Sequence, residues 1–335
     1  MNILVTGGAG FIGSNFIRYW IKNNQDDTIV NFDKLTYAGN LENLEDVSKD
    51  TRYKFIKGDI TVFDQINSAI KNNSIDLVVH FAAESHVDRS IIGPADFINT
   101  NINGTFNILE VVRQNPGIRL HHISTDEVFG SLKTLEPKFN ENTKYSPRSP
   151  YSASKASSDH LVRAYIDTYN IKATISNCSN NYGAYCYPEK LIPLTITRAL
   201  MDQRIPVYGS GKQVRDWIHV EDHCRGIELI LKEGKLGETY LLGGNGEREN
   251  IWIVMEILRL LNKPKELIQF VGDRKGHDFR YAIDYSRAKN ELGFEPLKPI
   301  EERLKETVEW YASNKQWWQP LKKSADVMAD RYLQK

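Results

Sequence analysis

Cysteine is scarce. Three stand in 335 residues, Cys178, Cys186 and Cys224, odd in number and widely spaced, which argues against a disulfide framework and a CxxC metal site. Net charge is missing too: 43 basic side chains balance 43 acidic ones, so the chain carries no electrostatic footprint for nucleic acid or an acidic membrane. No apolar run approaches the length of a membrane span, and no basic-then-apolar stretch precedes the first strand pattern. The expectation is a cytoplasmic protein without a membrane partner. His219 and His223 have a spacing that suits zinc, but no HExxH accompanies them; a helix-end pair is the plainer reading, and no metal is expected.

What is present is a chain 41% hydrophobic, long enough for a sizeable core and one or two domains. Its first half alternates strand and helix patterns. Asn2 to Thr6 reads as a strand, followed by Gly7-Gly8-Ala9-Gly10-Phe11-Ile12-Gly13 and a helical run from Ser14 to about Asn23. Glycines at 7, 10 and 13 allow a tight turn, close approach of backbone to a pyrophosphate and close helix packing, with Phe11 and Ile12 at the helix start. A second strand, Thr28 to Phe32, ends in Asp33 about twenty residues on, where a carboxylate accepts ribose hydroxyls and repels a 2′-phosphate; NAD is therefore expected rather than NADP. Tyr53 to Gly58 reads as a third strand with Asp59-Ile60 at its end, and Leu77 to Phe81 as a fourth followed by Ala82-Ala83-Glu84-Ser85-His86-Val87-Asp88. Runs of Val, Ile and Phe without polar alternation indicate strands buried on both faces. The predicted fold is α/β, a Rossmann-type doubly wound parallel sheet. Helical stripes over Ile98 to Val112 and after Tyr151 pack on it, and a second apolar face on either would suit a two-fold homodimer.

The chemistry is expected between Ser124 and Lys155. An apolar-leaning strand, Leu120 to Ser124, leads into Thr125, Asp126 and Glu127, and after a proline-bearing loop Tyr151-Ser152-Ala153-Ser154-Lys155 opens a long helix pattern. Tyr151 and Lys155 then stand one turn apart on one face. An ammonium near a phenol lowers its pKa from about 10, which would make Tyr151 a general base for a sugar hydroxyl.

With these residues in hand the chain resembles the extended short-chain dehydrogenase/reductase family of nucleotide-sugar enzymes. Asp33-Lys34-Leu35-Thr36-Tyr37-Ala38-Gly39-Asn40-Leu41, the segment 82–88, Ser124-Thr125-Asp126-Glu127-Val128, Pro188-Glu189-Lys190-Leu191-Ile192-Pro193 and the segment 214–223 are similar to those of its dTDP-glucose 4,6-dehydratase branch. The resemblance runs from residue 1 to about 300. It implies NAD held by the glycine loop, by Asp33, Lys34, Leu35 and Thr36, by Asp59 and Ile60, by Ala82, Ala83, Ser85, Thr100 and Asn181, and by Tyr151 and Lys155. It implies a nucleotide sugar, dTDP-glucose, held by Ser85, Thr125, Asn180, Lys190, Leu191, Pro206, Val207, Tyr208, Arg215, Asn250, Arg274 and His277. The reaction implied is oxidation at C4 with Tyr151 as base, removal of the C5 proton by Glu127, and donation to the departing 6-hydroxyl by a protonated Asp126. That last step requires burial or a neighbouring carboxylate to raise the Asp126 pKa.

After Thr174 to Asn177, a sixth strand, the rhythm breaks into shorter elements with more Pro and Gly. The expected division is a nucleotide-binding domain at 1–179 and a smaller α/β substrate lobe mainly at 180–335, with a discontinuous boundary. Ala184, Cys186, Lys275 and Phe279 depart from the family pattern, all in the nucleotide-facing lobe, and bear on which nucleotide is bound. Three other readings compete: a 4-epimerase, against which Asp126-Glu127 argues; a uronic-acid decarboxylase, which would need a cation for a C6 carboxylate; and a non-catalytic NAD-binding regulator, which needs neither the acid pair nor Tyr151 and Lys155.

Overall fold

Seven parallel strands form the centre of the molecule, and their order explains where a ligand can enter. In the computed structural model, which describes residues 1–334, they are β1 (Asn2–Thr6), β2 (Thr28–Asp33), β3 (Tyr53–Lys57), β4 (Leu77–His80), β5 (Arg119–Thr125), β6 (Lys172–Cys178) and β7 (Thr239–Leu242). Their spatial order is β7-β6-β5-β4-β1-β2-β3, with every neighbouring pair parallel. From β1 the chain winds outward through β2 and β3, then returns to lay β4 on the other side of β1. Such a switch leaves a crevice beyond the carboxyl ends of the two central strands.

Both faces of the sheet are apolar, as the uninterrupted Val and Ile runs anticipate. Ile3, Val5, Ile29 and Val79 pack against Phe16, Ile17 and Trp20 of α1 (Phe11–Asn23). Leu4, Val30, Phe32 and Val78 turn the other way, onto Ile66 and Ile70 of α2 (Phe63–Asn72), Ile108 and Leu109 of α3 (Thr105–Gln114), and Val162 of α4 (Pro150–Tyr169). Burying each such side chain contributes about 1.5–3 kcal/mol. Two boundaries shift from the sequence reading. α1 begins at Phe11, directly after Gly10, so the glycine loop is itself the helix start; and the segment expected as one helix over 98–112 carries a π turn at Ile98–Gly104 before α3.

The second half is not confined to its own lobe. The short paired strands Asn180–Tyr182 and Trp217–His219 and helix α5 (Leu191–Leu200) pack on a separate core that includes Ile192, Ile196, Ile253, Leu304, Tyr311 and Trp318. The pair Ile205–Tyr208 and Ile268–Val271 packs on a smaller cluster with Ala199, Val254 and Leu258. Between these, α6 (Val220–Glu233) packs Cys224, Ile227 and Ile230 into the same layer as α1, and β7 extends the main sheet beside β6. The last described element is α7 (Lys322–Leu333). Lys335 lies outside the described residues. Among those described, no helix is long and apolar enough to cross a membrane.

Candidate active site

The switch crevice opens into a cavity of about 670 Å³, within the range of small-molecule and cofactor sites. Its first wall is the glycine loop. Gly7 has φ +70, and a Cβ there would meet Ala82 N at 2.6 Å; at Gly13 it would meet Gly7 O at 2.4 Å. Only glycine lets β1, α1 and the end of β4 close up in this way. Asp33 follows at the end of β2, where its carboxylate accepts from Ala9 N (3.0 Å) and Leu35 N (2.7 Å). Burial pushes its pKa up and those two N–H bonds pull it down. Lys34 pairs with Asp59 at 2.7 Å, joining the ends of β2 and β3. This loop, an acceptor twenty residues on, and the small Ala82 and Ala83 fit a dinucleotide.

Deeper in the cavity lie the proton-bearing residues. Thr125 ends β5 and caps a 3₁₀ turn over Asp126–Phe129, its hydroxyl accepting from Glu127 N at 3.3 Å. Glu127 faces the cavity, whereas Asp126 is 0% exposed, with Oδ1 accepting from Thr125 Oγ1 at 3.4 Å and Oδ2 without a partner. Burial, then the Glu127 and Asp216 carboxylates, hold Asp126 well above the carboxylate range. Burial also raises Glu127, but Arg274, Arg215 and Lys190 pull it back. At the start of α4, Ser149 and Ser152 cap one another reciprocally (3.1 and 3.0 Å) and fix the first turn that carries Tyr151.

Here the structure departs from the sequence expectation in one respect. The Tyr151 phenol is raised well above its ordinary value, by burial first and the Glu127 carboxylate second, with the Thr125 hydroxyl bond opposing. Lys155 does not offset this, because its Nζ donates to Ile123 O at 2.8 Å and burial weakens its own charge.

Asp159, one turn beyond Lys155, joins the pieces. Its Oδ2 accepts from Ser124 Oγ (2.8 Å), Tyr145 OH (2.8 Å) and Asn177 Nδ2 (3.2 Å), while Asn177 also donates to Thr125 O (3.1 Å). His122 Nε2 stands 3.2 Å from Oδ1. Burial raises the Asp159 pKa, but His122, Lys155 and Ser124 outweigh it and the net direction is down. Asp159→Ala, which leaves three buried donors and an ammonium uncompensated, is expected to cost about 3–5 kcal/mol in urea unfolding. Because the folded pKa is depressed, that contribution is present above the unfolded value of about 3.9 and fades as pH falls through the folded value. An unchanged urea midpoint at neutral pH would refute it.

The outer cavity wall comes from the second lobe. Asn180, Lys190, Leu191, Pro206, Val207, Tyr208, Arg215, Asn250, Arg274 and His277 all line it. Lys190 Nζ donates to Ser85 O at 2.9 Å, Arg215 lies over the Tyr281 ring at 4.2 Å, and His277 Nδ1 is 2.6 Å from Asp273 Oδ1. Asn180 Oδ1, Asn250 Oδ1 and Arg274 Nε are buried without hydrogen-bond partners, a pattern suited to a polar ligand. Thr36, Ile60, Thr100 and Asn181 also reach the cavity. Of the residues anticipated from sequence, two do not line it: Leu35, whose backbone serves Asp33, and Asp126, which sits behind Thr125. His219 caps α6 and His223 Nδ1 meets Asn181 Oδ1 at 2.8 Å; no group of three metal-ligating side chains forms among the described residues.

The family described as GDP-mannose 4,6 dehydratase matches residues 4–307. The dTDP-glucose 4,6-dehydratase of Salmonella typhimurium is 51% identical over 349 residues, covering 97% of this chain and 96% of that protein. The chain belongs to the dTDP-glucose 4,6-dehydratase family. Two crystal structures of dTDP-glucose 4,6-dehydratases superpose closely. One, from Bacillus anthracis in complex with NAD, has 47% identity and a TM-score of 0.90, covering 96% of this chain and 99% of that one. The other, from Streptomyces venezuelae, has 44% identity and a TM-score of 0.93, covering 96% and 100%.

Within the dTDP-glucose 4,6-dehydratase pattern, the four departures prove unequal. Only Cys186 lines the cavity. The Ala184 carbonyl accepts from Asn15 Nδ2 of α1 at 3.0 Å, Lys275 is exposed, and Phe279 is 42% exposed, so one of these three bears on a contact with α1 and two on the surface, and none lines the cavity. Sequence reading missed Glu189, a cavity residue that accepts from Tyr37 OH (3.0 Å) and Arg89 Nε (3.2 Å), although it stands inside a quoted motif. It also missed Met328 and Ala329 of α7, for which no local signal existed.

Proposed function

We propose that the protein is an NAD-dependent dTDP-glucose 4,6-dehydratase, a hydro-lyase that converts its substrate to the dTDP-4-keto-6-deoxy sugar. The observation that carries this reading is the contrast between adjacent carboxyls. Asp126 is enclosed with two other carboxylates for neighbours, whereas Glu127 faces Arg274, Arg215 and Lys190 across the cavity. Burial raises both, but Asp126 well above the carboxylate range and Glu127 less. Glu127 is therefore the one of the pair that gives up its proton first, the ordering of acid and base that elimination across two bonded carbons requires.

NAD, when bound along Gly7 to Gly13 and Asp33, would accept the hydride from C4 and give it back at C6 once water has left, while a proton returns to C5. Tyr151 takes the 4-hydroxyl proton while Thr125 holds that oxygen. The Thr125 hydroxyl favours the phenolate that this step needs, and burial and Glu127 oppose it. Once C4 is a ketone the C5 hydrogen is acidic, and Glu127 removes it. Asp126, which lies behind Thr125, would have to turn its carboxyl into the cavity to donate to the departing 6-hydroxyl. Arg215, Arg274 and His277 hold the diphosphate, for which a guanidinium fork is well shaped. A 4-epimerase on the same scaffold would have no use for an acid and base at this turn.

The assembly we propose is a cytoplasmic homodimer; Ile92, Ile98 and Phe106, 58%, 46% and 44% exposed, give it an apolar face near α3. The test is direct. Purified protein given dTDP-glucose without added NAD is expected to yield the 4-keto-6-deoxy product and to sediment as a dimer. Formation of dTDP-galactose, or no turnover, would reject the reaction.

A further inference from the structure

The residues beyond Trp318 have no reading from sequence, and the family match ends at residue 307. In the structure that stretch ends in α7, which lies against the strand Ile205–Tyr208. Met328 and Ala329 enter the same cavity as Pro206, Val207 and Tyr208. The rings of Tyr332 and Tyr208 meet edge-on at 4.7 Å, and their hydroxyls donate to the two oxygens of one carboxylate, Asp88, at 3.4 and 3.2 Å. Asp88 is itself 5% exposed, so this pair of phenols satisfies a buried charge at the cavity's edge. The helix is fastened from outside as well: Arg198 on α5 bonds both Asp326 and Asp330, and Tyr187 OH meets Ser324 Oγ at 2.6 Å.

We propose that α7 closes the base end of the cavity, and that Met328, with Tyr332 anchored on Asp88, sets which pyrimidine the site accepts. The proposal rests on the dTDP-glucose reading, which puts the base beside Pro206 to Tyr208. A thioether and a methyl present no hydrogen-bonding group, so this wall discriminates by apolar contact. Thymine offers it a 5-methyl group and uracil does not. Contact with one carbon of this kind discriminates by roughly 10- to 200-fold, and a flexible Met side chain conforms to it.

Calorimetric titration of the full chain with dTDP and with UDP tests the idea. Met328→Ala is expected to weaken dTDP about tenfold and UDP less, with NAD content and thermal unfolding close to those of the parent. Tyr332→Phe keeps the ring but loses the Asp88 bond, and is expected to weaken dTDP about threefold. Unchanged dTDP and UDP affinities in both variants would overturn the proposal, and the phenylalanine variant decides it alone should the alanine variant misfold. A parent protein that binds dTDP but fails to turn over dTDP-glucose would reject the reaction and leave the α7 measurement intact.

Discussion

Glu127→Gln is expected to oxidise the sugar at C4 and stop there. The substitution keeps the side chain's size and its cavity position but removes the proposed base for the C5 proton, so dehydration should fall by about 10²- to 10⁴-fold. C4 oxidation should survive, seen as reduced-nicotinamide absorbance that builds up and persists, together with loss of solvent deuterium incorporation at C5. The electrostatics add a second signature. Glu127 is the leading charged neighbour that raises the Tyr151 phenol, so neutralising it lowers that pKa and shifts the pH dependence of C4 oxidation toward acid. Equal loss of oxidation and dehydration would show that Glu127 serves the site as a whole.

How far the sequence discloses this site depends on the reach of each interaction. Gly7, Gly13 and Asp33 are legible because their work is local: a tight turn, a helix start, and a carboxylate held by backbone N–H groups of its own loop. Tyr151 and Lys155 are legible as a helical pair for the same reason. The direction of the Tyr151 pKa is not, because it turns on Glu127 from another element and on the carbonyl of Ile123 that engages Lys155. Asp126 shows the same limit. Its need to be neutral follows from the chemistry, but what holds it so includes Asp216, ninety residues away in sequence and adjacent in space. The return of β7 to the sheet and the closure by α7 are equally unreadable in advance. Short apolar strands carry no label saying which sheet they join, and Met328 differs from any other buried methionine only by what lies opposite it.

Tyr151→Phe is expected to fail one step earlier. Removing the hydroxyl takes away the proposed base for the 4-hydroxyl, so turnover should fall by about 10²- to 10⁴-fold without reduced nicotinamide appearing, the opposite pattern to Glu127→Gln. The ring still packs edge-on against Phe97, at 6.3 Å between centroids, so folding and dTDP affinity should remain near those of the parent. The pH profile separates a base from a mere hydrogen-bond donor. Because burial and Glu127 hold the phenol well above its ordinary value, only a small fraction is ionised at neutral pH, and single-turnover C4 oxidation in the parent should rise with pH as that fraction grows. The residual rate of Tyr151→Phe should lack this rise. Persistence of the same alkaline rise in the phenylalanine variant would assign the proton transfer to another group and leave Tyr151 with only the task of orienting the sugar.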